Sequence, residues 1–205
     1  MDIACGNGNF SRVLSDAGAE VVAFDFSSTM IQKAKRRSKG YSIEYKVLDA
    51  TDYNALLSLG ENTFNASVSN MGLMDMAEIT PILKALHKLL TNKGRFVFSV
   101  IHPCFQTPGV KKIYEEEEVG KEIIKRNCIL LSRYIETETF EGVSIKKQPV
   151  ATRYFHRPLS VLLNSCFDQG FVLDRIMEPV FKKEEIRRFD WFTIPPVLIV
   201  RLLKQ

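Results

Sequence analysis

The sequence predicts a doubly wound α/β fold, and three observations predict it. Short apolar runs of strand length alternate with amphipathic helical runs over the first hundred residues. Polar or glycine-bearing turns close four of those apolar runs (Gly6-Asn7-Gly8, Asp25, Asp49 and Asn70-Met71-Gly72), which gathers them along one sheet edge. Finally, 205 residues are most simply one domain with its own buried core.

The elements follow in order. Asp2–Cys5 reads as the end of a strand, and the turn Gly6-Asn7-Gly8 follows it. Phe10, Val13, Leu14 and Ala17 recur at helical spacing, and Gly18 stops that helix. Glu20–Phe26 carries Val21, Val22, Ala23 and Phe24, the composition of a buried strand. Thr29 and Gln32 have capping-box spacing ahead of a helix face made by Met30, Ile31 and Ala34. Ile43–Leu48 is a third strand ending at Asp49, and Phe64–Asn70 a fourth. Ile79, Ile82, Leu83, Leu86, Leu89 and Leu90 form the clearest helical stripe, closed by Asn92-Lys93-Gly94. Arg95–Ile101 is the fifth strand.

The pattern breaks at Gln106 and resumes after Arg157. The stretch between carries the acidic run Glu115–Glu118 and much Lys, Glu and Arg, and reads as an insertion, part helix and part antiparallel strand. The acidic run reads as a solvated helix face. Leu159, Leu162, Leu163, Cys166 and Phe167 then form a helix ending at Gly170, and Phe171–Met177 and Ile194–Leu203 are the last two strands.

Composition narrows the class. A net charge of +4 is too small an excess to argue for nucleic acid. No apolar run approaches the ~18–20 residues of a membrane span, and the opening acidic, glycine-containing turn is unlike a secretory leader. Cys5, Cys104, Cys128 and Cys166 are widely spread with no Cys-x-x-Cys pair, which supports neither a metal site nor a disulfide framework and points to the cytoplasm. A homodimer is compatible with the sequence.

The turns carry the chemistry. Gly6-x-Gly8 lets backbone approach a ligand with no Cβ in the way, a feature shared by several nucleotide binders. The dinucleotide pattern would put a third glycine at position 11, where Ser11 stands, and this counts against a nicotinamide-dependent oxidoreductase. Asp25 can accept hydrogen bonds from the vicinal hydroxyls of a ribose; the alternative is a solvated strand end. Asp49 can accept from an adenine amino group; the alternative is a turn or cap ahead of Tyr53, for which Asp52 is equally suited.

Together, Asp2-Ile3-Ala4-Cys5-Gly6-Asn7-Gly8, Val22-Ala23-Phe24-Asp25, Val47-Leu48-Asp49-Ala50 and Phe64-Asn65-Ala66-Ser67-Val68-Ser69-Asn70 resemble class I S-adenosylmethionine-dependent methyltransferases, closest to the branch that modifies small molecules. The resemblance spans residues 1–101 and resumes in the final helix and two strands. It implies a Rossmann-like, seven-stranded sheet, mostly parallel with an antiparallel last strand and helices on both faces. It implies S-adenosyl-L-methionine as cofactor and a small-molecule methyl acceptor. The turn with Ala4, Gly6 and Gly8 would approach the methionyl part, with Asp2 beneath its amino group. Asp25 would bind the ribose, Phe26 and Met30 flank the adenine, and Asp49 with Ala50 address its edge. Asn70 and Met71 would supply backbone contacts to the methionine moiety. Asn9 stands where many members carry a third glycine. Members usually place a longer first strand and one or two helices ahead of this turn, whereas Met1 falls within that strand, so the expectation is either a shortened chain or a cofactor pocket without that cover.

Methyl transfer from a sulfonium is an in-line displacement, so alignment dominates and a base is needed only for a protonated acceptor. His102, Tyr154 and His156 are the candidate catalytic residues. His102 follows the fifth strand at the ligand edge, and its alternative role is anchoring the loop before Pro103. His156 precedes a helix, where capping or loop anchoring is the alternative. His87, on the polar side of its helix, reads as solvated. The whole chain then reads as a single methyltransferase domain in which the insertion at about 106–157 caps the substrate. Its aromatics (Phe105, Tyr114, Tyr134, Phe140, Tyr154 and Phe155) either line an acceptor pocket or form a small core of their own. Two other readings stay open: a non-catalytic scaffold on a methyltransferase core, and an RNA or protein acceptor met by Lys33, Lys35, Arg36, Arg37 and Lys39. A solvated helix face explains that basic cluster equally.

Overall fold

The computed structural model describes residues 1–142, 150–182 and 191–205. Five strands alternate with four helices through the first half: β1 (Asp2–Ile3), α1 (Asn9–Asp16), β2 (Val21–Asp25), α2 (Ser28–Arg37), β3 (Ile43–Val47), α3 (Tyr53–Leu57), β4 (Phe64–Asn70), α4 (Thr80–Leu89) and β5 (Leu90–Ile101). Two hairpins follow, β6 (Lys111–Val119) with β7 (Glu122–Leu130) and β8 (Thr139–Gly142) with β9 (Thr152–Phe155). Helix α5 (Leu159–Phe167), β10 (Phe171–Met177) and β11 (Val197–Lys204) complete the core. The seven-stranded sheet runs β10-β11-β5-β4-β1-β2-β3. Strands β1 to β5 are parallel, and β11 is antiparallel to both its neighbours, so the last strand is antiparallel as expected.

Alternate residues of each strand face opposite helical layers. On one face Val21, Ala23 and Tyr45 bury against Ile31 and Ala34 of α2. On the other, Ile3, Phe24, Phe96 and Phe98 bury against Leu56, Leu83, Leu86 and Cys166 of α3, α4 and α5. The central strands are therefore buried on both faces, although β4 carries Ser67 and Ser69 there. The parallel order brings the carboxyl ends of β1 to β5 to one edge, where the functional turns lie.

Several local expectations are corrected. The cap of α2 is Ser27, whose hydroxyl accepts from the Met30 amide at 3.3 Å; Thr29 already lies inside the helix. Ser27 holds the extended backbone that a cap requires (φ −84°, ψ 108°). Helix α4 ends at Leu89, and the chain becomes extended at once. Asn92-Lys93-Gly94 is a local irregularity within β5, between the pairings Phe64–Leu90 and Ala66–Arg95. The last strand starts at Val197, after Pro195 and Pro196, which have no amide hydrogen for the ladder.

The described residues of the insertion form strands and turns rather than partly helix. Glu115–Glu118 therefore lies on an exposed strand, where Glu116 meets Lys125 of β7 at 3.0 Å and Glu117 meets Arg126. Opposite charges directly across (Glu116 and Lys125) and diagonally across (Glu117 and Arg126) the two strands, joined by the two-residue turn Gly120-Lys121 with φ 68° at Gly120, favour a hairpin over a helix. His87 is half-buried rather than solvated: it packs edge-on against Phe171 at 6.0 Å, because the chain passes beneath it at Gly170.

Candidate active site

The turn after β1 departs from ordinary backbone at three positions, with φ of 54° at Ala4, 54° at Gly6 and 73° at Gly8. The two glycines differ in their surroundings. A Cβ on Gly8 would lie 2.3 Å from the Tyr45 hydroxyl and 3.0 Å from Ala34 Cβ, so the turn is packed onto α2 and β3 there. A Cβ on Gly6 would meet nothing within 4 Å, so this glycine faces open space. The Gly6 amide donates to Asp25 Oδ2 at 2.9 Å, and the Ser27 amide donates to Asp25 Oδ1 at 2.9 Å. Asp25 is thereby fixed, and each oxygen keeps lone-pair capacity for a further donor. Phe26, next to it, is 76% exposed, and Met30 lies one turn along α2, 38% exposed.

Asp2 is buried beneath this turn and accepts a 2.6 Å hydrogen bond from the Ser11 hydroxyl. Ser11 thus fills the position of the missing third glycine. Burial raises the Asp2 carboxyl to about 6 against the opposing pull of that hydrogen bond. Burial, followed by the charges of Asp2 and Asp25, pushes the Cys5 thiol up to about 12.

At the end of β3, Asp49 is exposed and its Oδ1 accepts from both the amide and the hydroxyl of Thr51 at 2.8 Å, while Ala50 beside it is buried. Asp52 caps α3 through the Ala55 amide at 3.0 Å. At the end of β4, Asn70 Oδ1 accepts from the Ser99 hydroxyl at 2.7 Å, and the Met71 amide (φ 58°) donates to the Ser99 carbonyl at 3.0 Å. The donor-side residues Asp2, Gly6 and Asp25 form one cluster at the ends of β1 and β2, and Asn70 with Met71 form a second at the ends of β4 and β5.

A small, mostly apolar pocket adjoins these strand ends. The core supplies Leu73, Met74 and Ile101, and the insertion supplies Phe140, Tyr154 and Phe155. Tyr154 is buried, its ring 5.4 Å from that of Phe140. Burial and then the Asp75 charge raise its phenol above the usual range. His156, also in the wall, is buried; its Nε2 lies 2.8 Å from the Tyr134 carbonyl and its amide donates to the Glu138 carbonyl at 2.9 Å. His102 does not line the pocket, although its neighbours Ile101 and Pro103 do. Its Nε2 lies 2.8 Å from Glu178 Oε1, its Nδ1 accepts from the Cys104 amide at 3.2 Å, and its ring stacks on Phe105 at 4.5 Å.

Three residues of the site were not singled out from sequence. Ser99 joins β5 to the turn after β4; it is a polar residue isolated in the apolar run Phe96–Ile101, and that isolation was the available signal. Arg157 donates to the carbonyls of Met76 at 2.6 Å, Ala77 at 2.7 Å and Leu73 at 3.3 Å, which fastens the insertion to the segment after β4. Asp75 closes the 3₁₀ turn Leu73–Asp75. One side of Asp75 reaches water, while protein packed against the other side, together with the Asp25 charge, raises its carboxyl to about 6. An acid one turn past a strand edge was its sequence signal.

Residues 1–98 match the family described as a methyltransferase domain. The chain is 33% identical to a demethylmenaquinone methyltransferase of Paenarthrobacter aurescens over 117 residues, covering 57% of this chain and 43% of that protein. It is 32% identical to a malonyl-[acyl-carrier protein] O-methyltransferase of Pseudescherichia vulneris over 101 residues, 49% of this chain and 38% of that one. These matches span less than half the length of either relative. Among solved structures, an S-adenosylmethionine-dependent methyltransferase from Mesorhizobium loti superposes with a TM-score of 0.73 at 23% identity, covering 99% of this chain and 89% of that one. The glycopeptide N-methyltransferase MtfA, in complex with S-adenosyl-L-methionine, superposes with a TM-score of 0.64 at 14% identity, covering 100% and 86%. Residues 1–98 therefore match a methyltransferase-domain family, and the chain carries the fold of these S-adenosylmethionine-dependent methyltransferases.

Proposed function

We propose that this chain transfers the methyl group of S-adenosyl-L-methionine to a small-molecule acceptor held in the apolar pocket. The observation that carries the reading is the Gly6–Asp25 unit. It is a glycine with open space above it, hydrogen-bonded to a fixed strand-end carboxylate, in a turn whose Ala4 abuts Gly72, the neighbour of the pocket residue Leu73. The residues present suit the cofactor: Asp25 has acceptor capacity for ribose hydroxyls, Phe26 offers an exposed aromatic face to an adenine, and Gly6 leaves room for close approach. The bound cofactor supplies an already activated methyl group. The chain's own residues then bind and align.

In this reading Ala4, Gly6 and Gly8 shape the methionyl site, with Asp2 below it. Asp25 holds the ribose, Phe26 and Met30 flank the adenine, and Asp49 and Ala50 meet its edge. Asn70 and Met71, held by Ser99, border the methionyl group. Tyr154 contacts the acceptor from the pocket wall, while His102 and His156, both engaged in protein contacts, position the strand-end loop and the insertion. Residues 1–205 act as one domain with the insertion at about 106–157 as the substrate cap. The relatives named for demethylmenaquinone support a small acceptor with an apolar body. Four free thiols suit a reducing cytoplasm, and among the described residues no helix is long and apolar enough to cross a membrane.

Calorimetric titration with S-adenosylhomocysteine tests the donor site. The chain is expected to bind, and Asp25→Ala to weaken binding at least tenfold, through loss of charge-assisted hydrogen bonds worth about 1.5–3 kcal/mol. Lack of binding at millimolar ligand, or tight binding of NADH instead, would overturn the reading. A metabolite-library screen for S-adenosylhomocysteine release would then identify the acceptor.

A further inference from the structure

The hairpin β6–β7 stands outside the seven-stranded sheet, and among the described residues its two strands pair only with each other. Eight of the nine residues of β6 are exposed, Ile113 being the exception, so its outer edge faces water. A two-stranded ribbon is marginal in water without a further strand or a covering layer. The turn Gly120-Lys121 makes Val119 and Glu122 a hydrogen-bonded pair. Alternation then turns the backbone groups of Tyr114, Glu116 and Glu118 away from β7, along that outer edge. Like charge ordinarily blocks an open edge, and Glu115–Glu118 does so against a second copy arriving in parallel, which would set Glu against Glu. The strand is not uniformly acidic, however. It opens with Lys111 and Lys112 and carries its four glutamates in the second half, so an antiparallel copy meets the opposite charge.

We propose that the outer edge of β6 docks a second copy of this chain, antiparallel about a twofold axis at Tyr114, to form the four-stranded ribbon β7-β6-β6-β7. Outward-pointing residues pair only with outward-pointing residues, so the register moves in steps of two. With Tyr114 on the axis, Lys112 faces Glu116 of the second copy and Lys111 faces Glu117, and the symmetry repeats both pairs. The two Tyr114 rings meet at the centre, and no like charges oppose. A step toward the turn sets Glu115 against Glu115, and a step the other way leaves one unlike pair in each half. The chosen register also extends the ion pairs already present. Glu116 lies between Lys125 of its own hairpin and Lys112 of the second copy, and Glu117 between Arg126 and Lys111 on the opposite face. Lys112 Nζ sits 4.6 Å over the Trp191 ring, a contact compatible with a carboxylate partner because an ammonium has three donors. The interface is isologous and closes at two copies. It is independent of the methyl-transfer reading.

Sedimentation velocity of the full chain at about 100 µM, a concentration suited to a small edge interface, should show a species of twice the chain's mass. Lys111→Glu combined with Lys112→Glu turns the four unlike pairs into like ones and should weaken association at least about tenfold, with the circular dichroism spectrum unchanged. A second pair of variants reads the register and decides the matter even where the charge reversal disturbs the fold. Tyr114→Cys sets two thiols across the axis, with Cα atoms about 5.5 Å apart, and mild oxidation should link the copies. Glu118→Cys, far from its counterpart in the second copy, should link no more than the unmodified chain does. A monomer at that concentration, association untouched by the charge reversal in a folded variant, or equal linking through Glu118→Cys and Tyr114→Cys would overturn the proposal.

Discussion

Asp2 shows how a single buried carboxyl links site geometry to stability. It lies under the glycine turn with one hydrogen bond, from Ser11, and burial raises it from 3.8 to about 6. Between those values the folded chain binds more protons than the unfolded chain, so this residue makes stability fall as pH rises from about 4 to about 6. Above that range the cost is constant. Asp2→Asn keeps an acceptor for Ser11 and removes the charge. It should flatten the stability profile over that interval and add on the order of 2 kcal/mol at pH 7. Denaturant unfolding at pH 4, 6 and 7.5 checks this, and an unchanged pH slope would show that Asp2 is not desolvated. The same residue scale explains why two similar glycines were not separable from sequence. Gly8 is closed in by Tyr45 and Ala34 and Gly6 by nothing, a difference made by neighbours more than 25 positions away.

Among the elements, the insertion departs furthest from expectation. Lys, Glu and Arg in dense alternation fit a solvated helix as well as a solvated strand, and the choice fell to cross-strand pairing of Glu116 and Glu117 with Lys125 and Arg126. Of the insertion's aromatics, Phe140, Tyr154 and Phe155 line the pocket, whereas Tyr114 takes neither of the roles left open and projects from the exposed β6 at 57% exposure. What holds the insertion to the core is Arg157, through three carbonyls of the segment after β4. Hydrogen bonds from a charged donor are worth about 1.5–3 kcal/mol where the freed acceptors stay buried. Arg157→Ala should therefore cost about 2–3 kcal/mol in urea unfolding and speed protease cleavage within 106–157, with Arg157→Lys recovering only part because an ammonium lacks the planar fork. Equal stability of Arg157→Ala and the unmodified chain would refute the clamp.

At the scale of the whole molecule, the final strand completes the sheet from within. Strand β11 lies between β5 and β10 and presents Leu198, Val200 and Leu202 to the core shared with α4 and α5. Alternation makes adjacent leucines unequal. Leu202 is fully buried while Leu203 is half-exposed on the opposite face. Leu202→Ala should cost about 2–5 kcal/mol and Leu203→Ala under about 1.5 kcal/mol, read as the difference in denaturation midpoints. Reversal of that order would contradict the register Leu202–Phe96.

The sequence by itself determined the α/β class, the strand and helix order of the first half, and the sheet edge carrying Gly6, Asp25, Asp49 and Asn70. Each of these follows from local periodicity and from turn residues that act on their own backbone. Tertiary structure alone decided which partners those residues meet. The carboxylate of Asp25 is tied to the glycine turn, Ser99 braces the end of β4, and Arg157 reaches back to the carbonyls of Leu73 and Met76. Such pairings join positions 19 to 84 residues apart, and no local pattern specifies them. They arise when strands pair and helices pack, and they locate the chemistry on an edge that the sequence had already marked out.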